Sequence, residues 1–229
     1  MSKMVWDQTG ERLYETGIEQ VALFPFTSGA YDKGVAWNGI TALNLTPSGA
    51  EPTPLYANNR KYLTLMSVEE LGGTIEAYMY PDEWAECDGS AAVVPGVFFG
   101  QQSRKSFGIV GKSLIGNDTE LNKHGYKLHI VYGGLASPSE KPHATVNDSP
   151  EVDPMSWEFT TTPVDTGIDG FEPTSYICID STKVDADKLK ALEAIIYGTD
   201  GADGGEGTES RLPLPDEIAT LMGYDPAAG

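Results

Sequence analysis

Tyr126-Lys127-Leu128-His129-Ile130-Val131-Tyr132 alternates with a period of two. Tyr126, Leu128, Ile130 and Tyr132 fall on one face, and Lys127, His129 and Val131 on the other. A helix would spread these residues around its axis, whereas a strand gathers them on one surface. Met155-Ser156-Trp157-Glu158-Phe159-Thr160-Thr161 repeats the pattern, with Met155, Trp157 and Phe159 on one side. Working outward, residues 20–26, 35–45, 61–67, 73–80, 105–115 and 174–179 are rich in β-branched and aromatic residues. Gly, Pro, Asn and Asp separate them, so the chain reads as about eight strands. The expected fold is mainly β, a sandwich or barrel.

One helix interrupts this pattern, over about 185–197. Asp185 can cap it, Leu189, Leu192, Ile195 and Ile196 recur at helical spacing, and Gly198 can end it. A helix of about twelve residues is marginal alone, so its apolar stripe is expected to pack on a sheet. A second, short helix is expected from Pro215, suited to a first helical position, to near Gly223. The chain thus divides into a β domain (1–198), an acidic, Gly-rich linker (199–210) and a C-terminal segment (211–229).

Two segments read as long and irregular. Residues 46–60 hold Pro47, Pro52 and Pro54 together with Leu55 and Tyr56, and residues 81–96 hold Trp84 among acidic neighbours. Loops of this length are usually functional or disordered. Their apolar side chains either dock onto another surface or fold back on their own domain.

The 229 residues include 15 Lys and Arg against 34 Asp and Glu, a formal net charge of −19. Nucleic-acid binders usually carry the opposite sign, because phosphate contacts dominate their affinity. No stretch approaches the roughly 20 apolar residues needed to span a bilayer. The opening residues lack the long apolar segment of a signal peptide, so assembly in a cytoplasm is expected. Cys87 and Cys178 have no CxxC spacing and read as reduced, packed thiols.

Catalytic and metal motifs are missing. His124, His129 and His143 form no HExxH and no Cys/His set, and there is no GxSxG elbow. Ser106-Phe107-Gly108-Ile109-Val110-Gly111-Lys112-Ser113 approaches a phosphate-binding loop, but that motif needs Gly where Ser106 stands and a helix afterwards. The acidic residues of 199–210 do not follow the spacing of a calcium-binding EF-hand loop. No cofactor and no enzymatic activity are expected.

Several runs resemble the major tail tube protein of long-tailed phages that infect Gram-positive hosts. They are Gly34-Val35-Ala36-Trp37-Asn38-Gly39, Thr46-Pro47-Ser48-Gly49-Ala50-Glu51-Pro52-Thr53, Gly72-Gly73-Thr74-Ile75-Glu76-Ala77-Tyr78 through Pro81-Asp82-Glu83, and Glu86-Cys87-Asp88-Gly89-Ser90. Further along come Leu114-Ile115-Gly116-Asn117-Asp118-Thr119-Glu120, Ala136-Ser137-Pro138-Ser139-Glu140-Lys141, Trp157-Glu158-Phe159-Thr160-Thr161-Thr162-Pro163 and Ile179-Asp180-Ser181-Thr182-Lys183-Val184-Asp185. They occur in order between Gly34 and Asp185, within a resemblance over most of the chain from about residue 30 to 220, and the order carries it. The Gly-rich 199–210 segment is longer than that family's pattern.

The resemblance implies a virion structural protein of the tail. Six subunits would form a ring whose inner sheets join into a β-barrel, and rings would stack into a tube. DNA would pass through without specific binding. Tail terminator, tape measure and baseplate or distal tail proteins would be the other partners. Residues 46–60, with Pro47, Pro52, Pro54, Leu55 and Tyr56, suit the stacking arm. The expected channel wall is a hairpin over 61–80 with strands 105–115 and 126–132, presenting Thr74, Glu76, Tyr78, Lys112, Lys127 and His129. Glu76 faces the channel if Ile75, Ala77 and Met79 face the core, or the reverse. The competing reading is a monomeric β-sandwich that binds glycans or decorates a capsid.

Overall fold

The alternating stretch lies in the longest strand of a computed structural model that describes residues 3–143, 145, 152–201 and 207–225. In chain order the strands are β1 (Tyr14–Thr27), β2 (Ala30–Tyr31), β3 (Val35–Ala36), β4 (Ile40–Gly49), β5 (Pro52–Ala57), β6 (Arg60–Met66) and β7 (Glu69–Ala77). After the one-turn helix α1 (Trp84–Cys87) come β8 (Ala91–Val94), β9 (Val97–Phe99), β10 (Phe107–Asn117), β11 (Leu121–Ala136), β12 (Met155–Thr161) and β13 (Tyr176–Asp180). Helices α2 (Ala186–Tyr197) and α3 (Pro215–Met222) follow. The protein is mainly β, with one large antiparallel sheet and a few short helices.

The main sheet runs β2-β1-β10-β11-β12-β7-β4, with β13 beside β11 and β3 beside β1. β11 serves two partners in succession: residues 127–131 pair with β13, and residues 134–136 pair with β12. The change falls at Gly133, whose φ of 61° is open to glycine at little cost. A Cβ there would meet the Thr162 carbonyl oxygen at 2.1 Å. The bend folds β12-β7-β4 back over β1-β10-β11, so that Leu43 of β4 lies against Gly111 of β10.

Each face of the bent sheet has its own core. Between the two halves lie Leu23, Ile75, Ile109, Val131, Trp157 and Phe159. Trp84 is fully buried there, with ring centroids 4.6 Å from Trp37 and 5.0 Å from Phe107. Residues near Trp84 therefore fold back onto their own domain, one of the two alternatives for 81–96. On the outer face, Leu128, Ile130 and Tyr132 meet Leu189, Leu192 and Ile196 of α2. These are the alternating and helical residues of the sequence, now on one interface. Burying each such side chain contributes about 1.5–3 kcal/mol. Asp185 caps α2 by accepting from the Asp187 and Lys188 amides, and Gly223 ends α3 in the left-handed region.

The C-terminal segment belongs to this second core. Leu212 and Ile218 are buried in it, and the buried Tyr132 hydroxyl donates to the Pro213 carbonyl at 2.8 Å. The ends of the linker are clasped, since Thr199 and Thr208 exchange backbone hydrogen bonds of 3.1 and 3.0 Å. Residues 202–206 of the linker and 226–229 of the C-terminal segment lie outside the described residues. No helix among the described residues is long and apolar enough to cross a membrane.

Candidate assembly surfaces

Residues 46–60 do not form an irregular loop. β4 continues through Pro47 to Gly49, paired with Leu71 to Glu69 of β7, and β5 and β6 then form a separate hairpin. The expected hairpin over 61–80 is accordingly not formed, because β6 pairs with β5 and β7 pairs with β4 and β12. The physical cause is the turn: Asn58 and Asn59 both adopt positive φ, 49° and 59°, in the two-residue turn that joins Ala57 to Arg60. Asparagine tolerates this region, and paired positive φ suits the strand twist. An Asn-Asn pair between two apolar runs was the available signal. Pro52 and Pro54, two residues apart, remove donors from one edge of β5, which hinders extension of the sheet on that side.

Among the described residues, none of the hairpin's side chains belongs to either core. Every residue of β5 and β6 is exposed. Leu55, Tyr56, Tyr62, Leu63, Leu65 and Met66 are among the exposed large apolar side chains, Tyr56 at 71%. Leu55 pairs with Leu63 and Thr53 with Leu65, so Leu55, Leu63 and Leu65 share a face. A second exposed hairpin, β8–β9, carries Val93, Val94, Val97, Phe98 and Phe99 around a Pro95-Gly96 turn. The sequence reading missed it, although Pro-Gly between valines marks a turn.

The six residues expected on the channel wall do not share a surface. Thr74 and Glu76 lie on the outer face of β7, opposite the buried Ile75 and Ala77, while Met79 is exposed beyond the strand. Register places Ala42 and Asn44 of β4 and Ser156 and Glu158 of β12 beside them. This face is polar, with the carboxylates Glu70, Glu76 and Glu158, and β4, β7 and β12 contain no Lys or Arg. Tyr78 is exposed just past the end of β7.

Lys112, Lys127 and His129 belong elsewhere. Lys112 lies beneath α2, where its ammonium is 2.8 Å from the Glu193 carboxylate and 4.1 Å from the centre of the Tyr126 ring. It joins helix to sheet and faces no open surface. His129 points between the two halves of the sheet. Its Nε2 lies 2.7 Å from the Ser113 hydroxyl and its Nδ1 2.7 Å from the Tyr176 hydroxyl. Ser113 donates to Glu15 at 2.7 Å, and Glu15 also pairs with Lys127. Alternation had separated Lys127 and His129 from the apolar face, but it could not show that a second sheet layer covers that side.

This Ser113–His129 pair lacks the carboxylate behind the imidazole that a Ser-His-Asp set has. The hydroxyl proton is directed to Glu15, and Tyr176, not a carboxylate, orients the other ring nitrogen. Burial pushes the imidazole below its usual value, favouring the neutral ring. Residues 106–113, the near-match to a phosphate loop, lie at the start of β10 and are followed by strand, not helix. Among the described residues, no group of three or more His, Cys, Asp or Glu side chains is placed to hold a metal ion. Both cysteines are unpaired, Cys87 buried and Cys178 exposed.

No family model matches the chain, and no curated protein matches it.

Proposed function

We propose that the chain is the structural subunit of a phage-type tail tube, in which six copies form a ring and rings stack into a conduit for genome DNA. The observation that carries this reading is the β5–β6 hairpin, an arm whose large apolar side chains pair across its two strands yet stay exposed. Exposed apolar surface of this kind marks a protein interface. Three further features support it. β4 ends the sheet order and so presents a strand edge for lateral pairing. The outer face of β4-β7-β12 is polar and acidic, which would repel phosphates and let DNA slide. The residue runs that resemble tail tube proteins include residues 46–53, which lead into the arm, and most of β7.

In this reading Glu76 and Glu158 line the channel, the helices face outward, and the arm reaches the next ring. The tail terminator and distal tail proteins meet the tube ends, and the tape measure protein occupies its lumen. Assembly of the tail follows in the host cytoplasm. Transport of DNA through the tube calls on no catalytic group.

The test is the double substitution L55S/Y56S, read by size-exclusion chromatography with light scattering. The variant should keep its circular dichroism spectrum and melting temperature but lose stacked assemblies. Assemblies of unchanged size at the same concentration would remove the arm from this role.

A further inference from the structure

The arm differs from the rest of the chain in charge as well as exposure. Between residues 50 and 68 the charged residues are Glu51, Arg60 and Lys61, a formal net of +1. The chain's −19 then leaves −20 for the remaining residues. Both cations sit at the turn end of the hairpin, and among the described residues neither makes an ion pair. An apolar ribbon with a cationic tip calls for an apolar surface ringed by carboxylates.

The same chain carries such a surface. A groove of about 630 Å³ opens between the β8–β9 hairpin, the segment around α1 and the β2–β3 turn. Val35, Pro95 and Phe98 supply its apolar wall, and Asp32, Asp82 and Glu83 its charge. These three carboxylates are exposed and, among the described residues, make no ion pair. The cations nearby are already engaged: Lys33 on the rim pairs with Glu209 at 3.1 Å, and Lys105 pairs with Glu86.

The topology keeps arm and groove apart within one subunit. The arm leaves β7 at Glu69, whereas Asp82 and Glu83 follow the opposite end of that strand beyond Ala77. Nine extended residues span roughly 30 Å. Complementary surfaces at opposite ends of one element join head to tail, and such a contact repeats without closing.

We propose that the Arg60/Lys61 tip of the β5–β6 hairpin docks into the groove formed by Asp32, Asp82, Glu83 and Phe98 of a second copy of this chain. This rests on the tube reading and names the receiving surface for its arm. The apolar flank of the hairpin covers Phe98 and Pro95, and the tip cations meet the carboxylates. Because the charged contacts lie at a solvent-accessible rim, added salt weakens them.

Two charge-reversed full-length chains test this. R60E/K61E has an anionic tip and an anionic groove, and D82K/E83K has a cationic tip and a cationic groove. All four positions are exposed, and circular dichroism and melting temperature verify that both variants fold. Each alone should need a concentration at least about tenfold higher than the unaltered chain to assemble, from like-charge repulsion. Their equimolar mixture should recover assembly, since each tip then finds a groove of opposite charge. If both variants fold and fail alone but the mixture also fails, the pairing is wrong. If D82K/E83K assembles like the unaltered chain, the groove is not the receiver, while the tube reading stands. An unaltered chain that stays monomeric at every concentration, with initiator proteins supplied, overturns both.

Discussion

Leu55 lies directly across from Leu63 in the β5–β6 hairpin, and the two remain 42% and 38% exposed although they are cross-strand partners. Such a pair contributes roughly 0.2–1 kcal/mol. An isolated two-stranded hairpin is marginal in water. The arm therefore has the local pattern of a strand pair without the burial that would hold it firmly.

In the free subunit the backbone amides of residues 53–65 should exchange quickly with solvent, while those of β10 exchange slowly. On assembly the arm amides should slow by about 100-fold or more, as the hairpin gains a covered face. Hydrogen–deuterium exchange on monomeric and assembled protein reads this directly. Equal exchange in the two states would mean that the arm makes no contact on assembly.

Gly133 controls the bend in the sheet. Gly133→Ala would place a methyl group against the Thr162 carbonyl and require positive φ of an ordinary residue. A loss of about 2–4 kcal/mol is expected, within the range for backbone strain combined with overpacking. Chemical denaturation measures it. Gly17→Ala is an informative control, because that glycine also has positive φ but nothing within 4 Å of its Cβ position. It should cost less.

Acid should weaken the subunit in two stages. Burial holds His129 below its ordinary 6.5, and the hydrogen bond from Lys127 holds Glu15 below its ordinary 4.5. In both cases the unfolded chain binds more protons than the folded one just below the ordinary value. The His129 contribution is thus present above about pH 6.5 and lost as pH falls from there. Glu15 follows below about pH 4.5, together with Glu217, which Arg211 holds low. Melting temperature should fall across both windows. His129→Gln should flatten the upper window and leave the lower one, whereas an unchanged upper slope would place its cause elsewhere.

The two thiols should differ sharply. Burial pushes the Cys87 thiol up to about 12, so almost no thiolate is available near neutrality. Cys178 is exposed. A thiol-reactive chromophore should label one cysteine per native chain, at Cys178, and two in denaturant. Rapid native labelling at Cys87 would show that the α1 region opens readily.

How far the sequence anticipated this arrangement depends on whether a signal was local. The β11 alternation and the α2 stripe were legible because each depends on neighbouring residues, and the structure sets Leu128 and Ile130 against Leu189 and Leu192. Asp185, Gly198, Pro215 and Gly223 likewise marked helix ends through their own backbone preferences. The partner of β6 was misread because prolines at 52 and 54 suggested a loop, and the Asn58-Asn59 turn received too little weight. Lys112 was misplaced for a different reason. Period two assigns it to a face, but which face lies beneath a helix depends on α2, some 80 residues downstream. The same limit applied to His129, whose covering layer is created by the bend at Gly133. For Leu55 and Tyr56 the sequence left docking outward or folding back open; their exposure, their hairpin geometry and the acidic groove required the full topology.

Whether the subunit builds a tube is read directly by negative-stain electron microscopy of the concentrated, unaltered protein, with tail initiator proteins supplied. A tail tube subunit should give hollow tubes, or six-fold rings where stacking is incomplete. Particles that remain single subunits at every concentration would contradict the tube reading and favour a monomeric β-sandwich binding module.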